Sequence, residues 1–308
     1  MHHSSVRSLT LSKYLLIIAA LCGSALAQSQ FPAMFPTDAK TVALAEPSFD
    51  VSTFSPGTFD DDASVDTASQ GDSSRSGFVS RMVTRGLEDQ KELYLAPFKP
   101  SNFKWDALVL AGTAGLLIAD RHIENSLPGG NHSFYQTSSN IAIAGLGATL
   151  GSVWIYGIKT DHLHAKELGG LELETLINTF LIYTPMQFIA GRQRPGEGNG
   201  HGDFLRHHAM NTSFPGGHAM FAWAMATVAA KEYPNFWVRT GVYTAALAVT
   251  AGRFLGRDHW SSDMLVGTAL GIGIGTHVFH SHCDPELSDS CKHHHNKVDY
   301  RADQKSLE

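Results

Sequence analysis

The chain has 308 residues, 43% of them hydrophobic and 17% charged, and its formal net charge is −6. That length allows one large domain or two small ones, and the acidic balance excludes a general nucleic-acid binder, which would carry a basic surface. The apolar residues are unevenly spread: a polar front and a polar tail flank a Gly-, Ala- and Leu-rich middle long enough to bury a sizeable core.

Residues 1–27 read as a secretory signal peptide. Arg7 and Lys13 give a positive start, Tyr14 to Leu21 begin a short apolar stretch, and Ala25-Leu26-Ala27 places small residues before Gln28. Cys22 follows Leu21 rather than a small residue, which argues against lipidation. The expectation is an exported protein of the periplasm or cell envelope, with an uncleaved anchor helix as the alternative. Residues 28–80 are rich in Ser, Thr, Asp, Pro and Gly, carry the run Asp60-Asp61-Asp62, and read as a disordered spacer, with ordered structure starting near Phe78.

Six helix-sized apolar stretches follow within a domain spanning 81–281: roughly 105–120, 138–158, 173–191, 218–232, 237–254 and 262–279. Small residues recur in them, which lets helix backbones approach closely, and connections such as Pro128-Gly129-Gly130 and Tyr233-Pro234-Asn235 separate them. No strand-like alternation of comparable strength is present, so the predicted architecture is an all-α six-helix bundle. A membrane span needs about 20 apolar residues, and only 138–158 approaches that. Three spans entered from outside would also leave the 192–217 loop in the cytoplasm. A periplasmic bundle is therefore favoured over one embedded in the membrane. The tail, 282–308, is polar and holds His293, His294 and His295, read as solvated. Cys283 and Cys291 form an even pair fit either for a small disulfide loop or for two free thiols.

Three segments at helix ends carry chemistry. Gly191-Arg192-Gln193-Arg194-Pro195 closes the third helix. Ser213-Phe214-Pro215-Gly216-Gly217-His218 opens the fourth, where Gly216 and Gly217 expose backbone N–H groups at a helix N-terminus and so form an anion cradle beside His218. Gly252-Arg253, then five residues, His259, three residues and Asp263, link the fifth and sixth. A four-residue spacing at a helix start would put His259 and Asp263 on one face, where a carboxylate can fix the imidazole tautomer. Arg253 is a permanent planar cation suited to phosphate oxygens. Taken singly, each segment has a structural explanation: a helix cap, a tight turn, or a favourable charge at a helix C-terminus. Together they point to a phosphoryl site. His201, His207 and His208 lie in the Gly-rich 196–213 loop, read as a polar lid or substrate-contact region rather than a metal site, since no cysteine is near.

The three segments, in this order, resemble the type 2 phosphatidic acid phosphatase and vanadium haloperoxidase superfamily over about residues 86–280. The resemblance implies an exported acid-phosphatase-like hydrolase cleaving phosphate monoesters, lipid phosphates among them. His259 would be the nucleophile, Asp263 would orient it, and His218 would be the general acid. Arg194, Arg253, Gly216, Gly217 and Gln187 would bind phosphate, with no metal or other cofactor. A vanadate-dependent haloperoxidase and a catalytically weak anion-binding member are the alternatives. The implied partner is a phosphorylated small molecule or lipid phosphate, with association with a membrane and none with nucleic acid. The chain departs from the family pattern at Gln187, where the family has lysine, and at Gly216 and Gly252, where it has serine. The lost lysine removes a cation, for which Arg192 or Arg257 are the candidate replacements.

Overall fold

The computed structural model describes residues 72–127, 129–206 and 211–296; the expected signal peptide and most of the expected spacer lie outside the described residues. Among the described residues there is no strand and there are seven long helices. They are α1 (Asp72–Leu95), α2 (Phe103–Ser126), α3 (His132–Thr160), α4 (Leu163–Ala190), α5 (Gly217–Glu232), α6 (Phe236–Leu255) and α7 (Ser261–His282), with a 3₁₀ turn, Ala96–Phe98, after α1. Each of the six apolar stretches lies in one of α2 to α7. Helix α1 precedes them and starts at Asp72, ahead of Phe78.

Local chemistry sets most of the boundaries. Asn131 caps α3 by accepting from the Phe134 amide, and Asn235 caps α6 by accepting from the Trp237 amide. Helix α4 starts ten residues before the apolar stretch at 173 because Lys166, Glu167 and the Gly169-Gly170 pair hide its first turns from a hydropathy reading. It stops at Gly191, which takes a left-handed φ of 49°.

Helix α5 is the centre of the bundle. Ala219, Met220, Ala222, Ala224, Ala226 and Val228 have no exposed surface. Helix α7 lies against it through Gly267, Gly271 and Gly275, spaced four apart and so stacked on one face. A Cβ at any of the three would come within 2.4–2.5 Å of a backbone oxygen of Gly216, Met220 or Ala224. Helices α4 and α6 pack on the other sides of α5, α3 packs on α4 and α6, and α2 leans chiefly on α7. Polar pairs join α1 to the bundle: Arg85 with Glu174, Gln90 with Asn178, and Asp89 with His277 and His282, each histidine at 2.9 Å.

The segment after α7 departs from the solvated tail that composition suggested. Cys283 and Cys291 form a disulfide, Cys291 and Ser288 are buried, and residues 289–296 are helical. The His294 ring stacks on His280 with centroids 3.8 Å apart. Residues 297–308 lie outside the described residues.

Candidate active site

The C-termini of α2, α4 and α6 and the N-termini of α3, α5 and α7 meet at one end of the bundle. This convergence brings the three sequence segments together. Gly256 and Arg257 turn the chain after α6, Arg257 with a left-handed φ of 58°, and His259 follows in the link to α7.

His259 is buried, and its Nδ1 lies 2.6 Å from the Ser213 carbonyl oxygen. A carbonyl can only accept, so Nδ1 carries the proton and Nε2 holds the free lone pair. Burial depresses the imidazole pKa well below its usual 6.5; Arg194 and His218 push the same way, as does Arg253 more weakly, while the Ser213 bond opposes them. The ring is therefore neutral at pH 7.

Asp263 does not orient His259 by direct contact, which corrects the reading from spacing. Helix α7 begins at Ser261, so His259 lies outside it and the i,i+4 geometry does not apply. Asp263 instead caps α7 by accepting from the Trp260 amide at 2.9 Å, accepts from Ser213 Oγ at 2.5 Å and pairs with Arg192 Nη1 at 2.5 Å. It acts on His259 through Ser213, holding the residue whose carbonyl fixes the ring. Burial lifts the Asp263 carboxyl to about 6, against the opposing pull of Arg192.

Arg253 is buried and reaches three partners: Asp258 Oδ2 at 2.8 Å, Asn140 Oδ1, and His218 Nε2 at 2.8 Å. Since guanidinium only donates, His218 accepts at Nε2 in this arrangement. Arg194 donates to Asn211 Oδ1 at 2.6 Å and stands 3.8 Å from Asp258 Oδ1. Asp258 thus sits between two guanidiniums. The Nε groups of both Arg194 and Arg253 are buried without a hydrogen-bond partner. Unpaired buried donors are costly in a finished interior.

The three departures from the family pattern each have a structural account. Gln187 is fully buried, and its amide clamps a loop: Nε2 donates to the Thr212 carbonyl at 2.8 Å and Oε1 accepts from the Thr212 amide at 3.3 Å. Its expected role as a phosphate ligand is therefore replaced by a structural one. A Cβ at Gly216 would lie 2.1 Å from the Met264 Cε and 3.0 Å from the Asp263 carbonyl oxygen, so a serine there requires the Met264 methyl to swing aside and the backbone of α7 to give slightly. Its N–H donates to that same carbonyl at 3.1 Å and is not free for an anion. The cradle falls instead to the first amides of α5, Gly217 onward, which have no side-chain cap. A Cβ at Gly252 would lie 2.8 Å from both Ser139 Cβ and the Tyr135 carbonyl oxygen, so α3 can approach only because this residue is glycine.

Neither candidate replacement cation is available. Arg192 is buried and spends its donors on Gly202 O, Ser262 Oγ, Asp263 and Asp120. Arg257 pairs with Glu124 and the Leu127 carbonyl. His201 is exposed in the 196–206 loop, and His207 and His208 lie outside the described residues. Sequence reasoning missed Asp258, Asn140, Asp120, and Ser213 as the residue whose carbonyl accepts from His259. The signal for Asp258 was its place between Arg253 and His259. Asp120 showed only as a charge ending an apolar run, and Asn140 had no signal at all.

The arrangement is a histidine with a fixed tautomer, two guanidiniums with spare donors, a second histidine and an open helix N-terminus. It joins residues of all three sequence segments, with Gln187 and Asp263 in other places than the spacing suggested. The PAP2 superfamily model matches residues 171–284, a stretch that contains all three segments. A stretch of 65 residues is 38% identical to the lipid A 1-phosphatase of Porphyromonas gingivalis, covering 20% of this chain and 15% of that protein's length. No solved structure matches significantly.

Proposed function

We propose that the chain is an exported phosphatase that hydrolyses phosphate monoesters, with lipid phosphates as its substrate class. The observation that carries the reading is the pairing of a neutral His259, its Nε2 lone pair free, with two guanidiniums, the buried Arg253 and the partly exposed Arg194, whose buried Nε donors lack partners. In the proposed reaction, His259 Nε2 attacks phosphorus, the P–O bond to the alcohol breaks, and the leaving oxygen takes a proton from His218. Water then attacks the phosphohistidine, releasing phosphate and restoring His259. Arg194 and Arg253 hold the phosphoryl oxygens as charge builds on them. For His218 to act as acid, Arg253 must move its Nη2 donor from the His218 ring to the incoming phosphate, which frees His218 Nε2 to carry a proton. The reaction as drawn takes no metal. The lipid substrate is supported by the similarity to the lipid A 1-phosphatase of Porphyromonas gingivalis, and export by the signal-like leader and the Cys283–Cys291 disulfide.

The clamp role of Gln187 favours a second reading, in which the pocket binds the anion but turns it over weakly. Quench trapping of enzyme with a labelled phosphate ester, under conditions that preserve phosphohistidine, tests both. The expected result is a trapped phosphoenzyme that His259→Ala abolishes. His218→Ala should slow a poor leaving group far more than an activated aryl phosphate. Anion binding without a trapped intermediate or phosphate release would establish the weak binder. Strict dependence on a chelatable metal would overturn the mechanism, and halide oxidation after adding vanadate would assign the haloperoxidase chemistry instead.

A further inference from the structure

The reaction drawn above gives no part to Asp258, the carboxylate between Arg194 and Arg253. Its place is fixed from two sides. The turn after α6 brings it back over that helix: the Arg257 amide donates to the Phe254 carbonyl at 3.0 Å and the Asp258 amide to the Arg253 carbonyl at 3.1 Å. From α3, Gln136 Nε2 donates to Asp258 Oδ1 at 2.8 Å and to the Gly256 carbonyl at 3.1 Å. Oδ2 accepts from Arg253 Nη1 at 2.8 Å, while Arg194 Nη1 stands 3.8 Å from Oδ1, beyond hydrogen-bond reach. Each carboxylate oxygen can accept about two hydrogen bonds. Acceptor capacity therefore remains on Asp258, beside the guanidiniums that would hold a phosphoryl group. We propose that Asp258 selects for a phosphoryl group that still carries a proton: the ligand donates an O–H to this carboxylate, so hydrogen phosphate monoesters are admitted and fully ionised oxyanions are turned away. The proposal rests on the reading of this pocket as a phosphoryl site and adds the protonation state of its ligand.

A carboxylate only accepts hydrogen bonds, and a fully ionised oxyanion only accepts as well. Held by the same two guanidiniums, the two would face each other with like charge and no hydrogen between them. One proton on the phosphoryl oxygen turns that contact into an O–H···O⁻ hydrogen bond, among the shorter and stronger kinds. The Asp258 side chain is 12% exposed, so solvent does little to screen the contact.

The charge around the pocket favours the same ligand. Gln187 stands where the family has lysine, and its amide is spent on Thr212. Arg192 is matched by Asp120 and Asp263, and Arg257 by Glu124. His259 is neutral. Arg194 and Arg253 are then the cations left for a ligand. Against them stand Asp258 itself and Glu197, whose Oε2 accepts from the Arg194 amide at 2.9 Å. A doubly charged ligand would give the pocket a surplus of negative charge, and a singly charged one gives it less. The titratable groups in the surroundings are His218 from α5, on Arg253 at 2.8 Å, His259 in the link to α7, and His132 from α3, whose Nδ1 lies 3.3 Å from the Leu255 carbonyl. Protonation of any of them would favour every anion alike. A proton held by the ligand is therefore told apart by comparing two anions at one pH.

The test titrates the full chain by calorimetry with phenylphosphonate and benzenesulfonate, anions of like shape. At pH 5 both carry a single charge, but only the phosphonate keeps an acidic O–H, which it has largely lost at pH 8. At pH 5 the phosphonate should bind about tenfold tighter or more, the scale of one charge-assisted hydrogen bond. By pH 8 its affinity relative to the sulfonate should fall about tenfold. In Asp258→Asn, whose amide can donate to a bare oxygen, the preference at pH 5 should shrink to about threefold or less. Equal binding of the two anions by the wild type at pH 5, a phosphonate preference undiminished at pH 8, or one that survives Asp258→Asn in a protein that melts cooperatively would overturn the proposal. If Asp258→Asn fails to fold, the wild-type comparison decides alone. Binding of neither anion would overturn it together with the phosphoryl-site reading. Phosphate release from a soluble aryl phosphate is measured on the same samples. Its absence beside a proton-dependent phosphonate preference would defeat the phosphatase reading and uphold the role of Asp258.

Discussion

Replacing Arg192 with methionine tests whether the site rests on a buried charge network. The guanidinium is 2% exposed and lies between two buried carboxylates, Asp120 at 2.8 Å and Asp263 at 2.5 Å. Asp120 also accepts from the Ser262 amide at 3.0 Å and from Ser261 Oγ at 2.5 Å, so the network fixes the start of α7. Removing one member of a buried pair costs about 3–5 kcal/mol, because the other charge stays buried alone. For a domain of roughly 200 residues that corresponds to a drop in Tm of about 6–20 °C. The loss should depend on pH. Asp263 titrates at about 6 in the folded chain against 3.8 when free, so the folded state holds the extra proton between those values. Its stability is greatest below about 3.8 and falls as pH rises through 6. Without Arg192 the folded pKa rises further, so the Asp263 share of the loss should vanish at pH 5 and appear in full at pH 8, on top of the lost Asp120 pair at both; the Tm difference from wild type should be larger at pH 8. Thermal melts followed by circular dichroism at both pH values measure it. An equal loss at both would refute the charge argument for Asp263 and leave the Asp120 pair and packing beneath Phe204 and Trp260, whose rings lie 4.9 and 5.3 Å from the guanidinium carbon, as what the residue supplies.

Gly252→Ser restores the family residue but forces α3 away from α6, so it should cost about 1–3 kcal/mol and lower turnover; a variant with higher stability and rate in a melt and a phosphate-release assay would contradict the packing account. Gln187→Lys should likewise lose Tm and turnover, because the lysine breaks the clamp on Thr212 and enters a site with no exposed surface; a rise in turnover would show that position 187 faces the phosphate after all. The neutral, depressed His259 predicts that kcat/KM for an activated aryl phosphate keeps its value as pH falls through 6.5, since the nucleophile gains no proton there; an acidic limb at 6.5 or above would refute that environment.

Periodicity and small-residue content made the helices legible, because a buried bundle writes long apolar stretches into its sequence. Helix α1 was not legible: it is held by pairs such as Asp89 with His277 and His282 rather than by an apolar stripe, and pairs between distant positions leave no local pattern. The same division runs through the site. Arg253, His218 and His259 were found because their spacing is fixed by helix ends that carry recognisable turns. Partners supplied by other helices, Asn140 and Asp120, could not be found that way. The spacing of His259 and Asp263 misled because it was read as helical, when only Asp263 lies in the helix.

The three departures from the family pattern share a direction. At Gly216 and Gly252 a hydroxyl is given up and a backbone approach is gained; at position 187 a cation is given up and a clamp on Thr212 is gained. What the approaches bring partly replaces what was lost. Contact of α3 with α6 at Gly252 places Asn140 on Arg253 and lets Gln136 donate to Asp258 at 2.8 Å, so the guanidinium keeps polar neighbours without the serine. Contact of α7 with Gly216 ties that turn to the Asp263 carbonyl at 3.1 Å, close to Ser213, whose own carbonyl holds His259. Hydroxyls could have served the phosphate directly, whereas these contacts act on the residues around it. In the proposed reaction, charge on the phosphate is then left to Arg194, Arg253 and the first amides of α5. The chemistry would depend more on preorganisation of those groups than on their number.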